Sequence, residues 1–211
     1  MAAGWLRYPT IHGDSVVFCC EDDLWSVPLQ GGIARRLTTG LGSCARPRFS
    51  STGDRIAFDG AEEGVREVYV VDAEGGSLQR LTWQGDTANV VGWSRTGAAE
   101  VDHLAGQPFP RDTHAHAVSV AGGAPTRLPF GPIAGLASTP DGRLALCRHV
   151  ADLAWWKRYR GGRKGTLWVR EGDNPFRPLP IDANVASPMW VDDRLWFVAD
   201  PGTSPQLYSV E

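Results

Sequence analysis

Apolar residues in this chain fall in short runs, each cut off by polar turn residues. SVVFCC (15–20), RIAF (55–58), RLALC (143–147) and RLWFVA (194–199) are the clearest. Runs of that length between Gly, Asp and Pro predict β-strands. No capped helical pattern of three turns lies between them, so tandem αβ units are excluded.

The runs recur as a unit. Each unit opens with an apolar strand, a polar turn holding Gly or Asp, and a second apolar strand. A variable loop leads to a third strand with an aliphatic-aromatic step, then a Gly-Gly turn and a strand ending in Arg-Leu-Thr. The first two copies run from Tyr8 to Thr38 and from Arg46 to Thr82. The third is weaker, the fourth runs from AGLASTPDG to NPFRPLPI, and the fifth opens with ASPMW. The aromatic of the step is Trp25, Tyr69, Trp168 and Tyr208 in copies one, two, four and five. The turn pair is Gly31-Gly32, Gly75-Gly76, Gly122-Gly123 and, in the fourth copy, Asp173-Asn174. These types tolerate the left-handed backbone of a tight hairpin.

Four strands per unit at roughly 40–50-residue spacing is the mark of a β-propeller blade. A β-sandwich would not require the same turn at the same offset in four units. The sequence predicts an all-β fold, a β-propeller of four-stranded antiparallel blades. The expected blades span about 8–39, 45–83, 89–130, 133–181 and an incomplete 185–211, about four and a half of a six-bladed ring. A chain ending at Ser209-Val210-Glu211, inside a third strand, is expected to be a fragment with a free sheet edge.

Composition agrees with this pattern. Gly (25), Pro (15) and Trp (9) are abundant among 211 residues, as short strands and tight turns require. The net charge of -3 disfavours general affinity for nucleic acid. No signal-like start or membrane-length apolar run is present, so a cytoplasmic protein without membrane contact is expected. Cys19, Cys20, Cys44 and Cys147 have no C-x-x-C spacing and suit free thiols.

Several of these segments carry a family likeness. PTIHGDSVVFCCEDDLWSV (9–27), ARPRFSSTGDRIAF (45–58), EVYVVDAEGGSLQRLT (67–82) and AWWKRYRGGRKGTLWV (154–169) resemble the N-terminal propeller of tricorn-type proteases. The resemblance runs in register along essentially the whole chain. It implies a large, oligomeric, cytosolic serine peptidase that degrades short peptides left by the proteasome or similar machines. In that family the propeller is a non-catalytic gate and assembly surface, and the PDZ-like and catalytic domains lie further along, outside these residues. No G-x-S-x-G elbow occurs here, so no catalytic residue is expected. The alternative is a free-standing binding propeller that scaffolds protein partners, as in the Tol system.

The candidate chemistry is sparse, and no cofactor is expected. Arg158, Arg160, Arg163 and Lys164 cluster in a loop beside Trp155, Trp156 and Tyr159. That loop is expected between the second and third strands of the fourth blade. Its arginines could hold a peptide carboxylate, or stay solvated while the aromatic rings fold the loop down. Asp112, His114 and His116 alternate as metal ligands on a strand could, although His116 occupies a packing slot by register. The acids Glu21, Asp22 and Asp23, with Glu62 and Glu63, read as loop charge, and Arg35, Arg36 and Arg80 as outer-strand charge that blunts edge pairing. The family's basic anchor for a peptide C-terminus would fall in the loop after the second blade. Here that loop is Gly85-Asp86-Thr87-Ala88, without arginine, and departs from the pattern.

Overall fold

The fold was described from a computed structural model, which covers residues 4–109, 113–156, 159, 161–202 and 204–211, with the backbone alone for Trp155 and Trp156. Its strands form five antiparallel sheets in chain order. The first holds β1 (Leu6–His12), β2 (Ser15–Cys20), β3 (Asp23–Pro28) and β4 (Arg35–Arg36). The second holds β5 (Ala45–Phe49), β6 (Arg55–Glu63), β7 (Val65–Asp72) and β8 (Gln79–Arg80). The third holds β9 (Ala88–Trp93), β10 (Ala99–His103), β11 (His114–Val118) and β12 (Thr126–Pro132). The fourth holds β13 (Gly135–Ser138), β14 (Arg143–Arg148), β15 (Thr166–Glu171) and β16 (Arg177–Pro178). The fifth has three strands, β17 (Asn184–Val191), β18 (Arg194–Asp200) and β19 (Gln206–Val210). Sequence neighbours are sheet neighbours throughout, as in the up-and-down blades of a propeller.

The register explains why the repeat is legible. Trp25 lies opposite Phe18, Tyr69 opposite Phe58, Trp168 opposite Leu146 and Tyr208 opposite Phe197. The aromatic step is thus one half of a cross-strand pair that each sheet reuses. The glycine pairs 31–32, 75–76 and 122–123 all have positive φ, a backbone that other L-residues rarely adopt. The fourth sheet differs from expectation. Its left-handed residue is Gly172 rather than Asp173 or Asn174, while Asn174 N–H still closes the turn onto the Glu171 carbonyl at 3.2 Å.

A second repeat lies in the first strands. Tyr8, Arg46 and Ser187 have φ of 51°, 49° and 55°, and each precedes a proline. Each falls where the pairing register of β1, β5 or β17 slips. These are β-bulges, in which a left-handed residue absorbs the extra position before proline resumes the strand. The Tyr-Pro, Arg-Pro and Ser-Pro steps are visible at one offset in the sequence, but their backbone role is not.

The chain divides into two compact units, Met1–Gly106 with His116–Arg127, and Gln107–Ala115 with Leu128–Glu211. The first unit has two apolar cores. One joins Val17, Leu24 and Leu37 to Ile56, Phe58 and Val71, and the other joins Val68, Val70 and Leu81 to Val90, Val101 and Val118. The second unit is centred on Leu167, Val169, Val185, Leu195 and Phe197. Trp93 and Trp190 pack at the margins of these cores, and Trp196 is half-buried.

Candidate functional site

The long loop of the fourth sheet is held at both ends. It leaves β14 at His149, whose φ of 75° turns the chain. Val150 and Leu153 are then buried against Ala186 of β17, and a single 3-10 turn covers Leu153–Trp156. Its far end is fixed by Gly165, whose N–H donates to Asn184 Oδ1 and whose carbonyl accepts from Val185 N–H at 3.4 Å. A Cβ on Gly165 would sit 2.0 Å from the Val185 carbonyl oxygen, so only glycine lets the two strands approach this closely.

Between these anchors the chain turns on itself. Lys164 N–H bonds the Gly161 carbonyl at 3.1 Å, and Arg163 N–H donates to the Tyr159 hydroxyl at 3.4 Å. Lys164 Nζ pairs with Asp182 Oδ1 at 3.2 Å, while Arg163 is exposed. The loop therefore places Arg163 and Lys164 side by side at its rim. Arg158 and Arg160 lie outside the described residues. An exposed guanidinium beside an ammonium can hold a carboxylate, and the Lys164 pair with exposed Asp182 is weak enough to be exchanged.

The alternating histidines sit elsewhere in the chain. His114 and His116 are both buried on β11, and His116 stacks on His103 of β10 with ring centroids 3.7 Å apart. Asp112 lies outside the described residues. Among the described residues no group of three His, Cys, Asp or Glu side chains is placed to hold a metal ion. Burial pushes the Cys19 thiol up to about 11 and those of Cys44 and Cys147 to about 12. Thiols so shifted are protonated and unreactive at neutral pH.

Of the acids read as loop charge, Glu21, Asp22, Glu62 and Glu63 are exposed, and Asp23 is structural. Asp23 opens β3 and is buried, ion-paired with Arg36 and accepting the Thr38 hydroxyl at 3.0 Å. Thr38 Oγ1 in turn accepts from Leu24 N–H at 2.9 Å. The second sheet repeats the arrangement. Glu67 accepts from Thr82 Oγ1 at 2.5 Å, Val68 N–H donates to that hydroxyl at 2.8 Å, and Arg80 lies 3.5 Å from Glu67. Arg36 and Arg80 also donate to the carbonyls of Thr38 and Thr82. The Arg-Leu-Thr ending is therefore a clamp that fastens the fourth strand to an acid on the third. Pairing Arg36 and Arg80 to those acids corrects their reading as charges that merely line an edge.

A further buried network was invisible to sequence reasoning. Asp59 is fully buried on β6 between Arg46 at 2.9 Å and Arg66 at 3.5 Å, and its Oδ1 accepts from Val90 N–H at 3.1 Å. Arg46 reaches on to Asn89, which donates to Asp102 at 2.8 Å. Burial pushes the Asp59 carboxyl up to about 6, against the opposing pull of Arg46, the Val90 N–H and Arg66. Arg46 has a left-handed backbone, and its guanidinium reaches the buried Asp59. A Pro after an Arg was the only sequence signal.

Comparison with known proteins places this geometry. Residues 3–211 match the family of the tricorn protease N-terminal beta propeller domain. Tricorn protease homolog 1 of Streptomyces coelicolor is 39% identical over 212 residues, which cover 99% of this chain and 20% of that protein. The crystal structure of the tricorn protease superposes with a TM-score of 0.86 at 30% identity, covering 99% of this chain and 21% of that one. TolB from Acinetobacter baumannii superposes at 0.64 with 15% identity, covering 93% of this chain and 51% of TolB. At that identity the likeness is one of fold alone. The chain spans about a fifth of the length of these two tricorn relatives.

Proposed function

We propose that this chain, which belongs to the tricorn protease N-terminal β-propeller family, is the non-catalytic substrate gate and assembly surface of a tricorn-like cytoplasmic serine peptidase. In this reading the blades are part of a six-bladed ring, the complete enzyme forms homo-oligomers, and its substrates are short peptides left by larger proteases. The observation that carries the gating role is the loop over 149–165. It is pinned by Leu153 and Gly165, with Arg163 exposed and Lys164 half-buried in its pair with Asp182. A rigid scaffold presenting a charged loop is the usual way a propeller makes contacts. The likeness to TolB extends to fold and brings no partner with it.

The test uses the longer protein that carries this domain. Replacing Arg163 and Lys164 together by alanine is expected to raise KM for peptides with a free C-terminal carboxylate about three- to tenfold, with kcat unchanged. Peptides with an amidated C-terminus should show no such change. An unchanged KM for free-carboxylate peptides, or an equal rise for both substrate types, would return the loop to a purely structural role.

A further inference from the structure

Within each compact unit the first strands of neighbouring sheets pack together, β1 on β5, β5 on β9 and β13 on β17. The turns that follow those strands are therefore neighbours, and in two of the three places a side chain fills the space between them. Between the first and second sheets it is His12, whose ring is so near Gly53 that a Cβ there would meet Cδ2 at 2.0 Å. Between the fourth and fifth sheets Arg143 lies over the Trp190 ring, 4.7 Å from its centroid, and pairs with Asp193 at 3.2 Å.

The second and third sheets share the frame of the fourth and fifth but not its filling. Arg55 corresponds to Arg143, because each opens a second strand and gives its N–H to the hydroxyl that begins the turn, Ser50 or Thr139, at 3.1 and 2.9 Å. Trp93 corresponds to Trp190, since it pairs with Ala99 as Trp190 pairs with Leu195. Where the turn of the fifth sheet carries Asp193, that of the third is Ser94-Arg95-Thr96-Gly97, with a cation and no acid. A cavity of about 260 Å³ opens here, lined in part by Ser51, Thr52, Asp54, Arg55, Trp93 and Arg95. Arg95 is exposed and has no ion pair or hydrogen bond among the described residues. The acid of the lining, Asp54, turns Oδ1 to the hydroxyls of Thr52 and, at 2.7 Å, Ser50, while its Oδ2 lies 4.0 Å from Arg55 Nε. An exposed pair at that distance leaves Arg55 open to another partner. Trp93 is fixed as a wall by its Nε1–H, which donates to the Arg48 carbonyl at 2.9 Å.

We propose that this cavity is a binding site for an aspartate side chain of a bound polypeptide, its carboxylate held by Arg55 and Arg95 beside the Trp93 ring. The fourth and fifth sheets supply the template, because there the same frame of arginine and tryptophan already holds an aspartate, Asp193, from the chain itself. Two guanidinium groups facing one cavity repel each other until an anion lies between them, and their planar forks suit a carboxylate. The cavity is smaller than the range of about 300–1,000 Å³ usual for small-molecule pockets, which suits one side chain rather than a whole metabolite. It is formed by other residues than the loop over 149–165 and does not depend on the role proposed for that loop.

The probes are three short peptides: AADAA and AANAA, blocked at both ends, and AAAAA with a free C-terminus. Each is titrated into the isotope-labelled 211-residue chain and followed by amide chemical shifts. AADAA is expected to bind saturably and to shift the amides of Ser51, Arg95 and Gly97. AANAA has the same shape without the charge and should bind at least about tenfold more weakly. Arg95→Gln should weaken AADAA binding by a similar factor. Arg95→Asp places a carboxylate in the chain itself, as Asp193 does, and should abolish binding. Because Arg95 is exposed, both variants should keep the parent's melting temperature, which confirms an intact fold. Equal binding of AADAA and AANAA, parent-like affinity in Arg95→Gln, or no saturable binding at millimolar peptide would each overturn the proposal. So would larger shifts at these amides with AAAAA than with AADAA, which would assign the cavity to chain ends.

Discussion

Thr82 shows how much one hydroxyl can hold. It accepts the Val68 N–H and donates to Glu67, a carboxylate 1% exposed to solvent. Thr82→Val keeps the shape, strands the Val68 N–H and takes one of the partners of Glu67, which keeps Gly85 N–H and Arg80, so it should cost about 1–3 kcal/mol by chemical denaturation. Thr82→Ser keeps both bonds and should cost under about 1 kcal/mol. Asp59 behaves differently, because burial outweighs its two arginines and raises its folded pKa above the ordinary value of 3.8 to about 6. The folded state therefore holds the proton more tightly than the unfolded chain. The stabilisation this gives is complete below about pH 4 and is lost as pH rises through about 6. Asp59→Asn removes that slope. The gap between variant and parent should move in the variant's favour by an amount on the order of 3 kcal/mol between pH 4 and pH 7, since each pKa unit is worth about 1.4 kcal/mol. Parallel urea titrations at the two pH values would detect it; an unchanged gap would mean that the arginines offset burial, and a gap moving in the parent's favour that they dominate.

At the scale of elements, the fourth-sheet loop depends on its glycine more than on its charges. Gly165→Ala would push a methyl into the Val185 carbonyl 2.0 Å away, backbone against backbone. Either the loop or the start of β17 must move, at a cost of about 2 kcal/mol or more. Thermal unfolding of this variant should fall by several degrees, and amide protection at Val185 should drop with it. The arginines are the conspicuous residues of the AWWKRYRGGRKGTLWV segment (154–169). Its last glycine, the one before Thr166, has the clearest physical necessity. The repeated clamp of acid, threonine and arginine makes a similar point. Its residues lie about fifteen positions apart in sequence and meet only once the third and fourth strands pair.

For the whole molecule, the non-catalytic role proposed above makes one prediction. The 211-residue chain alone should not hydrolyse short peptides, and hydrolysis abolished by a serine-directed inhibitor would contradict it. The sequence by itself determined the blade repeat, the recurring aromatic step, most turn positions and the place of the basic loop between β14 and β15. All of these are set by local periodicity and turn chemistry, which act over a few neighbouring residues. It could not assign Asp23 and Glu67 to the interior, because a charge next to a turn looks solvated until its partner strand is in place. Nor could it assemble Arg46, Asp59, Asn89 and Asp102, whose contacts cross from one sheet to the next. Only the tertiary structure decided which charges are buried, since burial depends on residues that sequence spacing does not bring together.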